Sequence, residues 1–110
     1  PGANGYWNLM ATEFQLKVWE AVESIPEGKV TTYGHIARAS GKPNAARYIS
    51  RIIGQHPDAK DLPWHRIVYA NGTIWCPEEY KEIRHKRYKK EGIELKGDKI
   101  VNFSDVLYTF

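Results

Sequence analysis

The residues with the most specific chemistry stand at 62–67, where the chain reads LPWHRI. Trp64 lies between Pro63 and the pair formed by His65 and Arg66. An indole offers a π-face and one N–H donor, but it has no lone pair suited to nucleophilic attack. Taken by itself, Trp64 is compatible with a buried core tryptophan and with an aromatic wall of a binding pocket.

Cys76 is the other side chain with reactive potential, and it is the single cysteine of the chain. A thiol attacks as its thiolate, which requires a nearby base. The ionisable neighbours are Glu78 and Glu79, whose carboxylates disfavour a thiolate. A lone cysteine also excludes an internal disulfide and a cysteine-rich zinc site. We therefore expect no metal, no cofactor and a reducing compartment, the cytoplasm by default.

The charge balance permits a polyanionic partner without demanding one. Lys and Arg total 16 against 13 Asp and Glu, and the pI is near 9.0. Residues 84–90, RHKRYKK, hold five Lys or Arg in seven positions. Such a run is typical of a solvated helix end, where cations oppose the helix dipole, and contact with nucleic acid is the alternative.

The chain has the length of one domain. With 110 residues, 42% of them hydrophobic, it is expected to bury roughly two-thirds of the surface of its unfolded state. No apolar run approaches the ~20 residues that span a bilayer, which predicts a soluble protein without a membrane partner. Residues 1–9 are expected to precede a native start at Met10 or to be disordered, and residues 10–110 to form the domain.

The first helix is predicted from its cap and its apolar spacing. Thr12 and Gln15 form a capping box, and Pro26 and Gly28 end the helix. One helical face carries four apolar residues: Phe14, Val18, Val22 and Ile25.

Two short helices are predicted around a turn at Gly41. Thr32 caps the first, which runs to residue 39, and Asn44 caps the second. At about 100° per residue, the second helix separates an apolar side from a small, basic side. The apolar side holds Ile49, Ile52 and Ile53, and the other holds Arg47, Ser50, Arg51 and Gly54. A flat nucleic-acid groove can approach the second side, which favours a helix-turn-helix; an ordinary helical hairpin with two surface arginines is the alternative.

The second half of the chain is predicted to hold hairpins and one helix. Asn71 and Gly72 indicate a two-residue hairpin that joins residues 67–70 to 73–75. Residues 97–98 indicate a second, weaker hairpin. Pro77 opens a helix that ends at Gly92, and the tail to Phe110 is expected to pack through its aromatic residues. The predicted class is α+β, mostly helical: a single domain with a winged-helix-like helix-turn-helix and short β-hairpins.

Five segments together resemble a known family. They are GKVTTYGHIA (28–37), NAARYISRIIG (44–54), LPWHRIV (62–68), NG (71–72) and KKEG (89–92). Their order resembles the C-terminal domain of the O6-alkylguanine-DNA alkyltransferases, with its Pro-Cys-His-Arg-Val signature, and more closely the alkyltransferase-like proteins, in which tryptophan replaces that cysteine. The resemblance covers residues 12–95. The separation of Trp64 and Glu91, 91 − 64 = 27 positions, matches the family. The chain departs from the family pattern at His56, because the family usually has asparagine before the proline that stands here as Pro57.

The resemblance implies that the family's reaction is lost. In the alkyltransferases a thiolate attacks the alkyl carbon on guanine O6, after a histidine removes the thiol proton through a water held by a glutamate. His65 and Glu91 match these helpers, and Trp64 stands in the nucleophile's place. No catalytic residue is therefore expected, and His65 and Glu91 are expected to persist as a structural hydrogen-bonded pair.

The resemblance also implies a way of holding DNA. The family's helix-turn-helix enters the minor groove, and the damaged nucleotide is extruded from the duplex. Arg47 matches the arginine that fills the vacated space, and Tyr33 matches the tyrosine at the target phosphate and base edge. The implied DNA-binding residues are Tyr33, Ala45, Ala46, Arg47, Ser50, Arg51 and Gly54. Ala45 and Ala46 are equally interpretable as helix fillers.

The implied alkylguanine pocket is formed by Tyr33, Trp64, Ile67, Trp75 and Pro77. The Ile67 carbonyl is expected to help read guanine, and Trp75 either forms a second aromatic wall or closes the first hairpin's core side. Pro77 stands where some alkyltransferase-like proteins place an arginine over the damaged base, so that cation contact is expected to be missing. Bulkier O6-alkyl groups are expected to fit, because no attack geometry has to be kept.

The implied function is a non-enzymatic DNA damage sensor that flips O6-alkylguanine and flags it for nucleotide excision repair. The expected partners are double-stranded DNA containing O6-alkylguanine and nucleotide excision repair proteins. The protein is expected to be a monomer in the cytoplasm, associated with the nucleoid or nucleus through DNA. Two other classes stay open: an alkyltransferase that uses Cys76, and a helix-turn-helix regulator that reads undamaged sequence.

Overall fold

The computed structural model describes residues 12–110, so the prediction for residues 1–9 lies outside the described residues. In chain order the elements are α1 (Glu13–Glu23), β1 (Thr31–Thr32), α2 (Tyr33–Ala39), a 3-10 segment (Pro43–Tyr48), α3 (Ile49–Gly54), 3-10 turns at Ala59–Asp61 and Trp64–Arg66, β2 (Ile67–Val68), α4 (Glu78–Lys90), β3 (Leu95–Lys96), β4 (Lys99–Ile100) and α5 (Phe103–Val106). Helices dominate and the strands are short, which confirms the predicted class.

Helix α1 begins with the predicted capping box. The Gln15 backbone N–H donates to Thr12 Oγ1 over 3.1 Å, and the Thr12 N–H donates to Gln15 Oε1 over 2.8 Å. Its inner face buries Val18, Trp19 and Val22. The Trp19 indole N–H also donates to the Ile52 carbonyl over 2.8 Å, which ties α1 to α3.

Helix α2 starts as predicted, whereas the next helix begins differently. Thr32 Oγ1 accepts from the His35 N–H over 3.1 Å and caps α2. The prediction that Asn44 caps the following helix is wrong, because Pro43 starts a 3-10 segment and Ala45 has non-helical dihedrals. Regular α-helix begins only at residue 49. The predicted apolar side is nevertheless buried: Ile49, Ile52 and Ile53.

The hairpin predicted around Asn71 and Gly72 does not extend into paired strands, although the Tyr69 N–H donates to the Thr73 carbonyl across the turn over 2.9 Å. A tight turn is present, with the Gly72 N–H donating to the Tyr69 carbonyl over 2.9 Å. However, the residues before it form β2, which pairs in parallel with β1, and Thr73 after it bridges to Lys99. The physical reason is burial: both residues of β2 are buried, the pattern of an enclosed parallel strand rather than of an alternating hairpin arm.

The rest of the second half follows the predictions. Helix α4 ends before Gly92, whose φ of 75° is the left-handed conformation of a helix end. Strands β3 and β4 form the second predicted hairpin. The tail packs back through Phe103, which lies against the second hydrophobic cluster, and through the Tyr108 N–H, which donates to the Val30 carbonyl over 2.7 Å, whereas Phe110 at its end is exposed.

Strand β2 lies where two hydrophobic clusters meet. Ile67 belongs to the cluster built by α1, α2 and α3, and Val68 belongs to the cluster that contains Tyr88 of α4. The residues 62–66 that precede β2 are therefore held between the first three helices and α4. Within residues 12–110, no helix is long and apolar enough to cross a membrane.

Candidate functional site

A cavity of about 580 Å³ opens beside the Trp64–Arg66 turn. All five residues of the implied pocket line it: Tyr33, Trp64, Ile67, Trp75 and Pro77. They come from α2, from the turn before β2, from β2 itself and from the loop before α4. The parallel pairing of β1 with β2 brings the first of these elements to the others, although they are more than 30 residues apart. The predicted pocket residues are thus neighbours in space.

Trp64 is half-buried and stands among cations and rings. The guanidinium carbon of Arg87 lies 4.9 Å from the centroid of its ring, and that of Arg84 lies 5.8 Å away. The Tyr80 ring is 6.4 Å from it, in an edge-on arrangement. Helix α4 therefore brings two cations to this wall, although the Pro77 loop supplies none. The cation contact expected to be missing at Pro77 is a separate matter, because these two arginines come from α4 and not from that loop.

Arg84 is the residue of the basic run 84–90 that departs most from a solvated helix end. Only 5% of its surface is exposed, and it lines the cavity. Its guanidinium donates to the Tyr88 hydroxyl over 2.9 Å, to the Trp75 carbonyl over 2.9 Å and to the Ile67 carbonyl over 3.0 Å. Sequence alone did not single out this residue, because a charge run resembles a solvated surface.

The Ile67 carbonyl, expected to help read guanine, already accepts the Arg84 hydrogen bond. A carbonyl oxygen can accept two hydrogen bonds, so the Arg84 contact does not by itself prevent this carbonyl from meeting a base. The same arginine holds the Trp75 backbone, and thereby fixes two pocket walls to α4. Arg84 is therefore a positioning residue for the cavity.

His65 and Glu91 form the predicted pair inside a larger network. His65 Nε2 lies 2.6 Å from Glu91 Oε2. Arg66 donates to both carboxylate oxygens, from Nε to Oε1 over 3.0 Å and from Nη2 to Oε2 over 2.9 Å. The Gly28 N–H donates to Oε1 over 3.0 Å. This carboxylate thus joins the turn before β2 to the loop between α1 and β1.

The network shifts the pKa values of both of its titratable members. Burial raises the pKa of Glu91, but hydrogen bonds from Arg66, Gly28 and His65 outweigh it and hold the pKa at about 2. Burial lowers the pKa of His65, against the opposing effect of Glu91. His65 Nδ1 is buried and has no hydrogen-bond partner within residues 12–110. Neutral histidine beside ionised glutamate is therefore the favoured state near pH 7.

The residues predicted to meet DNA divide by exposure. Arg47, Ser50, Arg51 and Gly54 are exposed, and Ser50 and Gly54 line the cavity together with Tyr33. Ala45 and Ala46 are half-buried, and Ala46 packs against the first hydrophobic cluster, as a helix filler does. Arg47 lies over the Tyr48 ring at 5.0 Å and donates to its hydroxyl over 3.0 Å.

The remaining open positions have defined surroundings. His56 Nδ1 accepts from the Asp58 N–H over 2.9 Å, within the turn that follows α3. Trp75 is 67% exposed and lines the cavity, so it does not close the core side of a hairpin. Cys76 is half-buried and lines the same cavity. Groups of His, Cys, Asp or Glu able to hold a metal ion are absent from the described part of the chain.

Most of the chain matches a known protein family. The family model described as 6-O-methylguanine DNA methyltransferase, DNA binding domain, matches residues 13–93. A DNA base-flipping protein of Escherichia coli is 38% identical over 84 residues, which are 76% of this chain. The match spans 65% of that relative, so the chain accounts for less than two-thirds of its length. Alkyltransferase-like protein 1 of Schizosaccharomyces pombe is 43% identical over 86 residues, 76% of this chain and 79% of that protein.

Solved structures show the same relationship. The S. pombe protein Atl1, in complex with damaged DNA containing O6-carboxymethylguanine, superposes with a TM-score of 0.73 at 33% identity, over 92% of this chain and 100% of that one. The O6-methylguanine methyltransferase of Mycobacterium tuberculosis gives a TM-score of 0.62 at 33% identity, over 74% of this chain and 49% of that one. The resemblance and the fold are thereby confirmed. The chain belongs to the family of the 6-O-methylguanine DNA methyltransferase DNA-binding domain.

Proposed function

We propose that this chain is a non-enzymatic sensor of DNA damage that binds the minor groove and flips O6-alkylguanine into the cavity beside Trp64. The observation that carries the proposal is an indole at the cavity wall, in the position that the alkyltransferase signature gives to cysteine. An indole can stack against a base or an alkyl group, but it cannot accept that group. The lesion is then held without being repaired.

The hydrogen-bond network around Glu91 supports a structural role for His65 and Glu91, which match the catalytic histidine and glutamate of the alkyltransferases. Its carboxylate is occupied by Arg66, Gly28 and His65 together. An acceptor held by so many donors is a poor base, as its pKa of about 2 indicates. In this proposal the network fixes the backbone that carries Trp64, and no proton is transferred.

The exposed side of α3 and the segment before it support the DNA-binding part of the proposal. Arg47 and Arg51 offer cations, while Ser50 and Gly54 leave room for close approach at the mouth of the cavity. Flipping a nucleotide costs a few kcal/mol, and less when an alkyl group has weakened its pairing. Arg47 would offset that cost, since a planar guanidinium can stack in the vacated space and donate to the orphaned base.

The names of the relatives point the same way. Proteins named for base flipping and for likeness to alkyltransferases match over 76% of this chain, and a solved relative is bound to damaged DNA. We extend this to the cellular role: the protein acts as a monomer in the cytoplasm, associated with the nucleoid or nucleus through DNA, and its complex with the lesion recruits nucleotide excision repair proteins.

A second candidate function rests on Cys76. This thiol lines the same cavity as Trp64, and methyltransferases of Methanosarcina acetivorans and other organisms are also relatives. Alkyl transfer to Cys76 would leave a covalent gain on the protein, which sensing does not.

A pair of matched duplexes tests the proposed function. One carries a single O6-methylguanine and the other carries guanine, and both are titrated against the protein by fluorescence anisotropy at fixed salt, because salt alone changes affinity for DNA. We expect the lesion duplex to bind at least about tenfold more tightly, a difference of ~1.4 kcal/mol. Equal affinities would overturn the proposal, and a preference among undamaged sequences would indicate a regulator instead.

A further inference from the structure

Arg84 is a buried cation without an anionic partner. It is 5% exposed, and its three hydrogen bonds go to two backbone carbonyls and one tyrosine hydroxyl. Within residues 12–110, no carboxylate lies within ion-pair distance of it. Charged side chains are rarely buried unless they are paired, so this arrangement calls for an explanation. A guanidinium has five N–H donors, of which two are left over here.

Arg87 adds a second cation three residues along the same face of α4. Its guanidinium carbon lies 4.9 Å from the centroid of the Trp64 ring, and it also lines the cavity. Within residues 12–110, no carboxylate lies within ion-pair distance of Arg87 either. Glu91, the buried carboxylate near Trp64, is instead paired with Arg66 and His65.

The whole lining is unbalanced in charge. Its basic residues are Lys60, Arg84 and Arg87, and Asp61 is its acidic residue. Asp61 and Lys60 are exposed at the rim and adjacent in sequence, so they largely offset each other in solvent. The two arginines of α4 remain uncompensated beside the indole. Neutral hydroxyl donors stand nearby, from Tyr33 and Ser50.

We propose that this cavity selects O6 substituents that carry a negative charge, through Arg87 and Arg84 beside Trp64. The inference rests on the proposed function, because it places the O6 substituent against the indole. Burial of a ligand carboxylate carries a large desolvation penalty, and attraction to a cation offsets that penalty only when the geometry of the pair is good. Here the Arg84 guanidinium is already desolvated in the folded protein. Binding therefore desolvates the ligand carboxylate without adding a large desolvation penalty for its cationic partner.

Three duplexes, identical except at one guanine, test the inference. They carry O6-methyl, O6-carboxymethyl or O6-carbamoylmethyl groups, and the last two match in size and differ in charge. We expect the carboxymethyl duplex to bind at least about tenfold more tightly than the carbamoylmethyl duplex, or ~1.4 kcal/mol. Equal affinity for these two would overturn the inference and leave the proposed function standing if both exceed the unmodified duplex. No preference for any lesion would overturn the proposed function itself.

Variants assign the effect to Arg87. Arg87→Gln removes one cation from the wall without removing the backbone contacts that Arg84 makes. Lys86→Gln is the matched control, because it removes the same charge from the same helix at an exposed side chain that pairs with Glu82. We expect the ratio of the two affinities to fall below about threefold in Arg87→Gln and to stay unchanged in Lys86→Gln. Equal losses in both variants would show a general electrostatic effect and overturn the assignment.

Discussion

At the scale of single residues, the site consists of the Trp64 indole and the side chains around it. The motif predicted the pocket residues because family signatures are local in sequence. The burial of Arg84 was not predictable in this way, since five basic residues in seven resemble a solvated surface until the fold places one of them under the Ile67 and Trp75 carbonyls.

The Arg47→Ala variant tests the residue proposed to fill the vacated space in the duplex. We expect its preference for the O6-methylguanine duplex to fall by about tenfold or more, because flipping then loses the group that offsets its cost. Arg51→Ala is the control, since it removes the same charge from the same exposed side. Its affinity should fall equally for both duplexes, as for a phosphate contact. Titration of both duplexes checks this, and similar losses of preference in the two variants would contradict the role of Arg47.

At the scale of elements, the local signals at the ends of α1 and α4 were reliable, the local signal for a cap at Asn44 was not, and long-range strand pairing was not predicted. The capping box of α1 and the glycine that follows α4 are set by residues a few positions apart, and both formed as predicted. The parallel pairing of β1 with β2 joins Thr31 to Ile67, and no short-range pattern specifies such a contact. Asn71 and Gly72 still make their turn, and Tyr69 bonds to Thr73 across it, but the strand before it and Thr73 after it also pair with other segments.

Gly72→Ala tests the turn that replaces the predicted hairpin. Gly72 has φ of +83°, and an added Cβ would lie 3.0 Å from Phe103 Cγ. Gly97→Ala is the matched control, because its φ is +61° and nothing lies within 4 Å of its Cβ. In both variants the left-handed conformation of the new alanine costs about 1–2 kcal/mol. We expect Gly72→Ala to lower the free energy of unfolding by at least ~1 kcal/mol more than the control in urea denaturation. Equal effects would mean that Phe103 moves away freely.

At the scale of the whole molecule, one buried network couples the halves of the chain. Glu91 contacts Gly28 from the first half and Arg66 from the second, and Ile67 and Val68 of β2 belong to different hydrophobic clusters. The Trp64–Arg66 turn joins this network to the cavity, because Trp64 lines the cavity while His65 and Arg66 contact Glu91. A change that loosens the network should therefore affect both stability and the site.

The acid sensitivity of folding tests the network. The pKa of Glu91 is held at about 2, below its ordinary 4.5, so its stabilisation is present above pH 4.5 and is lost as the pH falls towards 2. The lowered pKa of His65 acts in the same direction, because the unfolded chain takes up that proton first below pH 6.5. We expect the free energy of unfolding, from urea titrations between pH 7.5 and 3, to fall below pH 6.5 and more steeply below 4.5.

Glu91→Gln is the variant that isolates this effect. It removes the charge that Arg66 faces in a buried setting, so we expect a loss of about 3 kcal/mol at pH 7.5. Its stability should then change less between pH 4.5 and 3 than that of the unaltered chain. The same acid dependence in both proteins would show that other groups are responsible.

The most direct test of the account follows the lesion itself. The protein is incubated in excess with a duplex that carries one O6-methylguanine, and complex formation is confirmed by native gel. The mass of the intact protein is then measured by mass spectrometry, and the DNA is digested to nucleosides for analysis. We predict an unchanged protein mass and full recovery of O6-methylguanine from DNA that the protein held. A protein heavier by one methylene unit, together with restored guanine, would contradict a sensor that binds without reaction.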